Sequence, residues 1–225
     1  MMAYNGVGGS MKFKHGKNLI IKDKRSVYID KTVILGDNVT IYENNRIMGN
    51  SVIGDNVVIY PGCFLKDTTV GNNSNFDSVK SDSARVGNNC SIGPYARLRP
   101  NAEIKDGAKV GNFVEIKNAV IGEGSKVSHL AYVGDAVVGK NCNLGCGVIF
   151  VNYNGKSKNK ITVGNNCFIG SNCNLIAPVV INDNSYICAG TTITENVNED
   201  DFVIGRVRQQ VKENRAHEYL KNKGE

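Results

Sequence analysis

The sequence predicts an all-β protein built as a parallel β-helix, a solenoid of hexapeptide repeats, and three observations carry that prediction. Apolar residues return every sixth position, at Leu35, Ile41, Ile47, Ile53, Ile59 and Leu65, and again at Val86, Ile92, Leu98, Ile104, Val110 and Ile116. Gly and Asn crowd the positions between them, with 25 glycines in 225 residues. There is no Trp and there are only four Pro, so neither a large aromatic core nor long helices are expected. A period of six fits neither a helix nor an alternating strand. It does fit a short strand plus a turn, three of which close one triangular coil.

Residues 1–25 are assigned to an N-terminal tail. The opening "MMAYNGVGGS" is Gly-rich and precedes a second start position at Met11, so it reads either as a vector remnant or as a frayed tail and is left out of the fold. Residues 26–198 carry the β-helix. After short phase slips the repeat runs on through Ile121, Val127 and Val133, then Val138, Leu144 and Phe150, and finally Val163, Ile169, Leu175, Ile181, Ile187 and Ile193. About nine coils of about 18 residues fit between residues 34 and 198, stacked roughly 4.8 Å apart. Turns of this kind need backbone angles at which Gly and Asn carry little steric penalty. Thirteen residues separate Phe150 from Val163, so a loop over residues 151–162 leaves the coil. From residue 199 the period is lost, and residues 199–225 read as a C-terminal arm ending in a short helix.

Composition narrows the function. The net charge is +6, but lysines and arginines are interspersed with acids and form no basic stripe with aromatic neighbours. Nucleic acid is therefore not expected as a partner, whereas an anionic small molecule suits the charge. No run approaches the roughly 20 apolar residues of a membrane span, and the start lacks a signal core, so no membrane span and a cytoplasmic location are expected. Cys63, Cys90, Cys142, Cys167 and Cys173 each fall four residues after a repeat aliphatic, which makes them small core fillers. The odd count of seven cysteines and the lack of a CxxC pair argue against a disulfide framework. The chain has three histidines, two of them outside the coils, so no metal site is expected.

A solenoid that departs from its own rule usually does so where something binds, and three stretches depart. They are "GPYARLRPNAEI" from residue 93, "GNFVEIK" ending at Lys117 with "VSHLAYVGDA" after it, and the Lys- and Asn-rich "FVNYNGKSKNKITVG". Together with "IGSN" and "CAGTTIT" they resemble, in order, the acetyltransferase half of the bacterial bifunctional uridyltransferase and acetyltransferase enzymes of the GlmU family. The resemblance covers roughly residues 26–212 and implies that the β-helix is left-handed.

What the resemblance implies is acetyl transfer from acetyl-CoA, as co-substrate, to the amine of glucosamine 1-phosphate, a step toward UDP-N-acetylglucosamine, with no metal required. An amine that attacks a thioester must lose a proton, and imidazole is the natural base near neutral pH. His129 matches the family's base, Glu115 the acid that orients it, and Asn152 lies in the same site. The backbone amide of Cys146, where family members often have Ala, matches the donor to the oxyanion. Arg99, Lys117 and Lys158 match residues that hold the sugar and its phosphate, with Tyr132 and Asn143 bonding the sugar. Tyr153, Ser171, Ala189 and Arg206 match acetyl-CoA contacts. Arg97 has no family match and is read as structural.

The same resemblance implies a homotrimer with active sites between chains, the arm reaching a neighbour. Nothing like the family's nucleotidyltransferase segment precedes the repeats, so no uridyl transfer is expected and a separate nucleotidyltransferase is a conceivable partner. Two other functions compete: an N-acetyltransferase for a different amino sugar, and a non-catalytic β-helix scaffold subunit. A scaffold has no use for the polar set at His129, Glu115, Asn152, Arg99 and Lys117.

Overall fold

Short strands, mostly of two or three residues, alternate with tight corners from Lys14 to Val203. The protein is described here from a computed structural model, which covers residues 13–220; the parts of the expected tail and arm at 1–12 and 221–225 lie outside the described residues. Pairing is parallel throughout the ladders, and an eleven-stranded sheet and an eighteen-stranded sheet together enclose the core. The result is a left-handed β-helix of triangular section.

The eleven-stranded sheet forms the first face, with Lys109–Asn112, Lys126–His129 and Asn143–Leu144 at its middle. The eighteen-stranded sheet wraps the other two. Glu115–Ile121 demonstrates this: its first residues pair with Arg97–Leu98 on the second face, and its last pair with Glu103–Ile104 on the third. The corner between them is Asn118, with φ of 46°, and one coil further on Asp135, with φ of 49°. Asn dominates these left-handed corners, as at Asn38, Asn56, Asn73 and Asn89, because its short amide side chain tolerates that conformation and bonds locally.

Inside each coil the repeat aliphatics point to the axis and stack on their equivalents in neighbouring coils. On the third face, Leu35, Ile53, Val70, Val86, Ile104, Ile121, Val138, Val163 and Ile181 are consecutive ladder partners, all buried. Burying one such side chain contributes about 1.5–3 kcal/mol, and the stack repeats that gain in every coil. The aliphatic series breaks at Ser81, which pairs with Leu65 and Leu98 in the second-face ladder. Its buried hydroxyl lies 2.8 Å from that of Thr68, so the polar group is satisfied inside the core.

The coils extend beyond the expected limits at both ends. Lys14–His15 and Ile20–Ile21, within the stretch expected to be a tail, pair with Ile34–Leu35 and Thr40–Ile41. At the other end Phe202–Val203 adds a last strand on Tyr186–Ile187. Phe13, Leu19, Ile21 and Val203 pack against the core, which is why pairing continues where the strict six-residue period has lapsed. After that strand the arm is exposed and contains one 3-10 turn, Ala216–Glu218. No helix among the described residues is long and apolar enough to cross a membrane.

Six of the cysteines, the five core fillers and Cys188, are buried, and Cys146 is exposed. Burial pushes the Cys63 thiol up to about 11. A maleimide must reach the sulfur to add to it, so applied to the native protein it should label the exposed Cys146 alone, and all seven thiols after unfolding. Intact-mass measurement reads the count; two or more rapid additions in the native state would contradict the packing.

Candidate active site

The second face and the two corners that bound it hold nearly all the polar residues singled out in the sequence. Each sits at an outward or corner position, because the inward positions are filled by the aliphatic stack. On the second face Arg97, Glu115 and Tyr132 are successive ladder partners, with Lys117 opposite Gly134. Arg99 Nη1 donates to Glu115 Oε1 at 2.8 Å, and Arg97 Nη1 stands 3.9 Å from Glu115 Oε2. Arg97 thus shares the carboxylate that fixes Arg99, in keeping with a structural part.

Tyr132 lies along its strand toward the far edge of this face. A Cβ at Gly134 would fall 2.4 Å from the Tyr132 hydroxyl and 2.8 Å from Asn152 Nδ2, so glycine is needed there for both groups to fit. Asn152 is buried at the root of the 151–162 loop. That loop is pinned by a bridge between Tyr153 and Lys158 and by an Asn154 side chain accepting from the amides of Lys156 and Ser157 at 2.9 and 2.8 Å. It brings Lys158 beside Lys117, whose ammonium, by hydrogen bonding and by charge, holds Lys158 below the usual lysine range.

The residue at the centre of this edge, Asp135, is absent from the sequence-based set. Its carboxylate accepts from Asn118 Nδ2 at 2.7 Å and from Asn152 Nδ2, and stands 3.9 Å from the Lys117 ammonium. Burial alone would raise its carboxyl; hydrogen bonds from Asn118 and Asn152 and the charges of Lys117 and Lys158 outweigh that and hold it below the usual range. A sequence signal existed: Asn101, Asn118 and Asp135 recur at intervals of 17 residues. On the third-face side of Asp135 a groove of about 430 Å³ runs beneath Lys158 and Lys160.

His129 stands on the other corner, between the first and second faces. Asn112 and His129 are ladder partners, and continuing the register places Cys146, Ser171 and Ala189 above them. Corner hydrogen bonds tie this line together: Asn172 N donates to Cys146 O and Gly190 N to Ser171 O, both at 2.8 Å. A Cβ at Gly145 would fall 2.6 Å from Ser171 N, and one at Gly170 would fall 2.4 Å from Ala189 N. The line is consequently a shallow trough of small residues, closed at its top by Arg206, whose Nη1 donates to Ala189 O at 3.0 Å. No acceptor among the described residues takes the Cys146 N–H. The equivalent corner positions three and five coils lower are Pro94 and Pro61, which have no N–H, so the fold does not use this amide.

Two expected neighbours are not brought together. Glu115 is engaged by Arg99, and no hydrogen bond joins it to His129 in this chain. Asn143 lies on the first face, paired with Lys126 and Phe168, around the corner from Tyr132.

Comparison with known proteins places this architecture. Residues 32–67 and 160–195 match a model described as bacterial transferase hexapeptide (six repeats), and residues 76–154 match the GMPPB C-terminal domain. The Arabidopsis UDP-N-acetylglucosamine acyltransferase structure aligns over 87% of this chain and 68% of its own, with TM-score 0.54 and 16% identity, a likeness of fold. The stacked coils and the matched repeats thus define a hexapeptide-repeat β-helix of the transferase type. The bifunctional GlmU proteins of Alkaliphilus oremlandii and Clostridioides difficile are 46% and 45% identical to it over 201 and 193 residues. These alignments cover 89% and 86% of this chain but 44% and 42% of those proteins. The chain belongs to the GlmU family and matches the C-terminal half of its members; it spans less than half the length of the relatives it matches.

The apposed ammonium groups of Lys117 and Lys158 should accept a dianion. Inorganic phosphate should raise the unfolding temperature over chloride of equal ionic strength. The increment should shrink as pH rises through the lowered Lys158 value, since deprotonation there removes one of the two cations, and it should fall away in Lys117→Met. A phosphate effect that is indifferent to both would place the anion elsewhere.

Proposed function

We propose that the chain transfers acetyl from acetyl-CoA to the amine of glucosamine 1-phosphate, giving N-acetylglucosamine 1-phosphate and CoA. The observation that carries this reading is the placement of an exposed imidazole at the foot of a trough of small residues, beside a face bearing Arg99, Lys117 and Lys158. A trough three coil steps long, roughly 14 Å at the parallel-strand spacing, suits an extended thioester laid lengthwise along Cys146, Ser171 and Ala189. Arg206 and Tyr153 supply a charge and an aromatic ring for the remainder of the cofactor.

In this reading His129 accepts a proton from the substrate nitrogen as its lone pair attacks the thioester carbonyl. The unused Cys146 N–H donates to the oxygen that gains negative charge. The C–S bond then breaks, and the proton held by His129 passes to the departing sulfur, so that acetamide and free thiol leave in balance. Arg99, Lys117 and Lys158 hold the phosphate, Arg99 being fixed by Glu115, while Tyr132 bonds the sugar. Glu115 would reach His129 only by giving up part of its hold on Arg99.

Asn143 and the sugar-binding edge lie on different faces, and Asn152 stands across the width of the second face from the His129 corner. A site that uses all of them forms between copies, which supports association of copies, here as the homotrimer that the family resemblance implies, in the cytoplasm; transfer in this scheme needs no metal, and uridyl transfer lies outside it.

Thiol release from acetyl-CoA should accompany addition of glucosamine 1-phosphate and be weaker with other amino sugars in a panel. His129→Ala should remain folded and lose roughly 10²–10⁴-fold in turnover. A wild-type protein inert toward glucosamine 1-phosphate, or an undiminished His129→Ala enzyme under conditions where chemistry limits, would overturn the reading.

Assembly has its own test. Arg99→Ala and Arg206→Ala should each be inactive, and mixing the two after dissociation should restore part of the activity, because some mixed assemblies contain one intact site. No recovery, with subunit exchange verified by mass, would mean that each chain holds a whole site.

A further inference from the structure

The corner between the second and third faces passes through Gly49, Asp67 and Ser83 before it reaches Asn101, Asn118 and Asp135, and its last three residues form a short side-chain ladder. On a different corner, between the third and first faces, Asn18 Nδ2 donates to Asn38 Oδ1, Asn38 Nδ2 to Asn56 Oδ1, and Asn56 Nδ2 to Asn73 Oδ1, at 2.8, 3.0 and 3.1 Å. Every amide there points the same way, giving its hydrogens to the next coil and taking hydrogens from the one below. Asn101 and Asn118 begin such a ladder, at 3.5 Å, and Asn118 Nδ2 continues it to Asp135 Oδ1 at 2.7 Å. Asp135 then has nothing to give. An ionised carboxylate is acceptor-only, so the next residue, Asn152, must also present its Nδ2 to it, and does so.

The consequence falls on Asn152. With its amino group committed to Asp135, its carbonyl oxygen is the atom left without a partner among the described residues and within reach of solvent; the Tyr132 hydroxyl and Asn152 Nδ2 both lie close to Gly134. An asparagine at 135 would instead donate upward, as Asn38, Asn56, Asn101 and Asn118 do. Asn152 would then turn its carbonyl inward to accept and leave Nδ2 facing the site.

We infer that Asp135 is a positioning residue: it reverses the polarity of the corner ladder so that Asn152 offers a hydrogen-bond acceptor, its carbonyl oxygen, to the N–H of the acceptor amine. This inference rests on the acetyl-transfer reading for the identity of the amine, but the Asp135–Asn152 bond itself does not. An acceptor at that point orients the nitrogen lone pair toward the thioester carbon as the N–C bond forms. A donor at the same point would compete for the lone pair. The charged groups facing Asp135 are Lys117 from the neighbouring coil and Lys158 from the loop, with Tyr132 on its own strand and Lys160 across the groove.

Asp135→Asn separates positioning from support, since asparagine is the residue this corner uses elsewhere and fits the left-handed backbone. The variant should fold, with an unfolding temperature lowered only by the loss of the carboxylate's attraction to Lys117 and Lys158. Its kcat with glucosamine 1-phosphate should fall roughly 10- to 100-fold, the scale of a misoriented catalytic contact, while KM for acetyl-CoA stays within twofold. A purely structural residue would lower the unfolding temperature and leave the kcat of the folded fraction intact. The second measurement needs no variant at 135: with ¹⁵N-labelled asparagine, assigned through Asn152→Ser, the Asn152 side-chain amide of the wild type should show one strongly protected, downfield proton. A folded Asp135→Asn enzyme with wild-type kcat, or an Asn152 amide exchanging as fast as exposed asparagines, overturns the inference. If no amino sugar is acetylated by the wild type, the functional reading fails, and the amide spectrum still decides the ladder.

Discussion

The turn between faces is the constraint on which the rest of this molecule depends. A coil of three short strands must change direction every few residues, and it does so through a left-handed corner where most side chains are strained. Asn, Gly, Asp and Ser therefore collect at corners, aliphatics collect inside, and the only positions left chemically free are the outward strand positions and the residues just before each corner. Arg99, Lys117, Tyr132 and His129 are drawn from those positions, whereas Tyr153 and Lys158 come from the 151–162 loop and Arg206 from beyond the last strand. His129 precedes the strained corner at Leu130, with φ of 42°, and Asp135 is itself a corner.

Stacking converts sequence spacing into distance. Residues one coil apart are neighbours, so Arg97, Glu115 and Tyr132 form a row, and so do His129, Cys146, Ser171 and Ala189. One row runs along a flat face and gathers charge; the other climbs a corner and is kept shallow by glycines whose added Cβ would strike the next coil's backbone. Charge and trough are thus separate products of one geometry, joined where the chain rounds the corner between His129 and Tyr132.

The electrostatics of the second face are balanced locally. Two ammonium groups are brought together by the 151–162 loop, at a cost that Asp135 offsets in part. Asp135 is partly screened from water and is held ionised by two amide donors and two cations, which makes it a fixed negative group in a site otherwise set for an anion. Its value there lies in what it does to its neighbours' hydrogen bonds.

The sequence by itself determined the repeat, the inward aliphatics, the buried cysteines and the site of the loop, because each follows from a period that any single coil must obey. Its motifs also pointed to His129, Arg99, Lys117 and Asn152 one by one. The limits of the helix were not legible, since Lys14–His15, Ile20–Ile21 and Phe202–Val203 are strands by pairing with a neighbour rather than by their own pattern. Nor were Asp135 and Gly134, whose importance lies in contacts made across coils: a carboxylate between two amides, and a missing Cβ beneath a tyrosine. Only the tertiary structure decided that Glu115 meets Arg99 and that Asn143 faces away from Tyr132, because the direction in which an outward side chain leans is set by the coils above and below it.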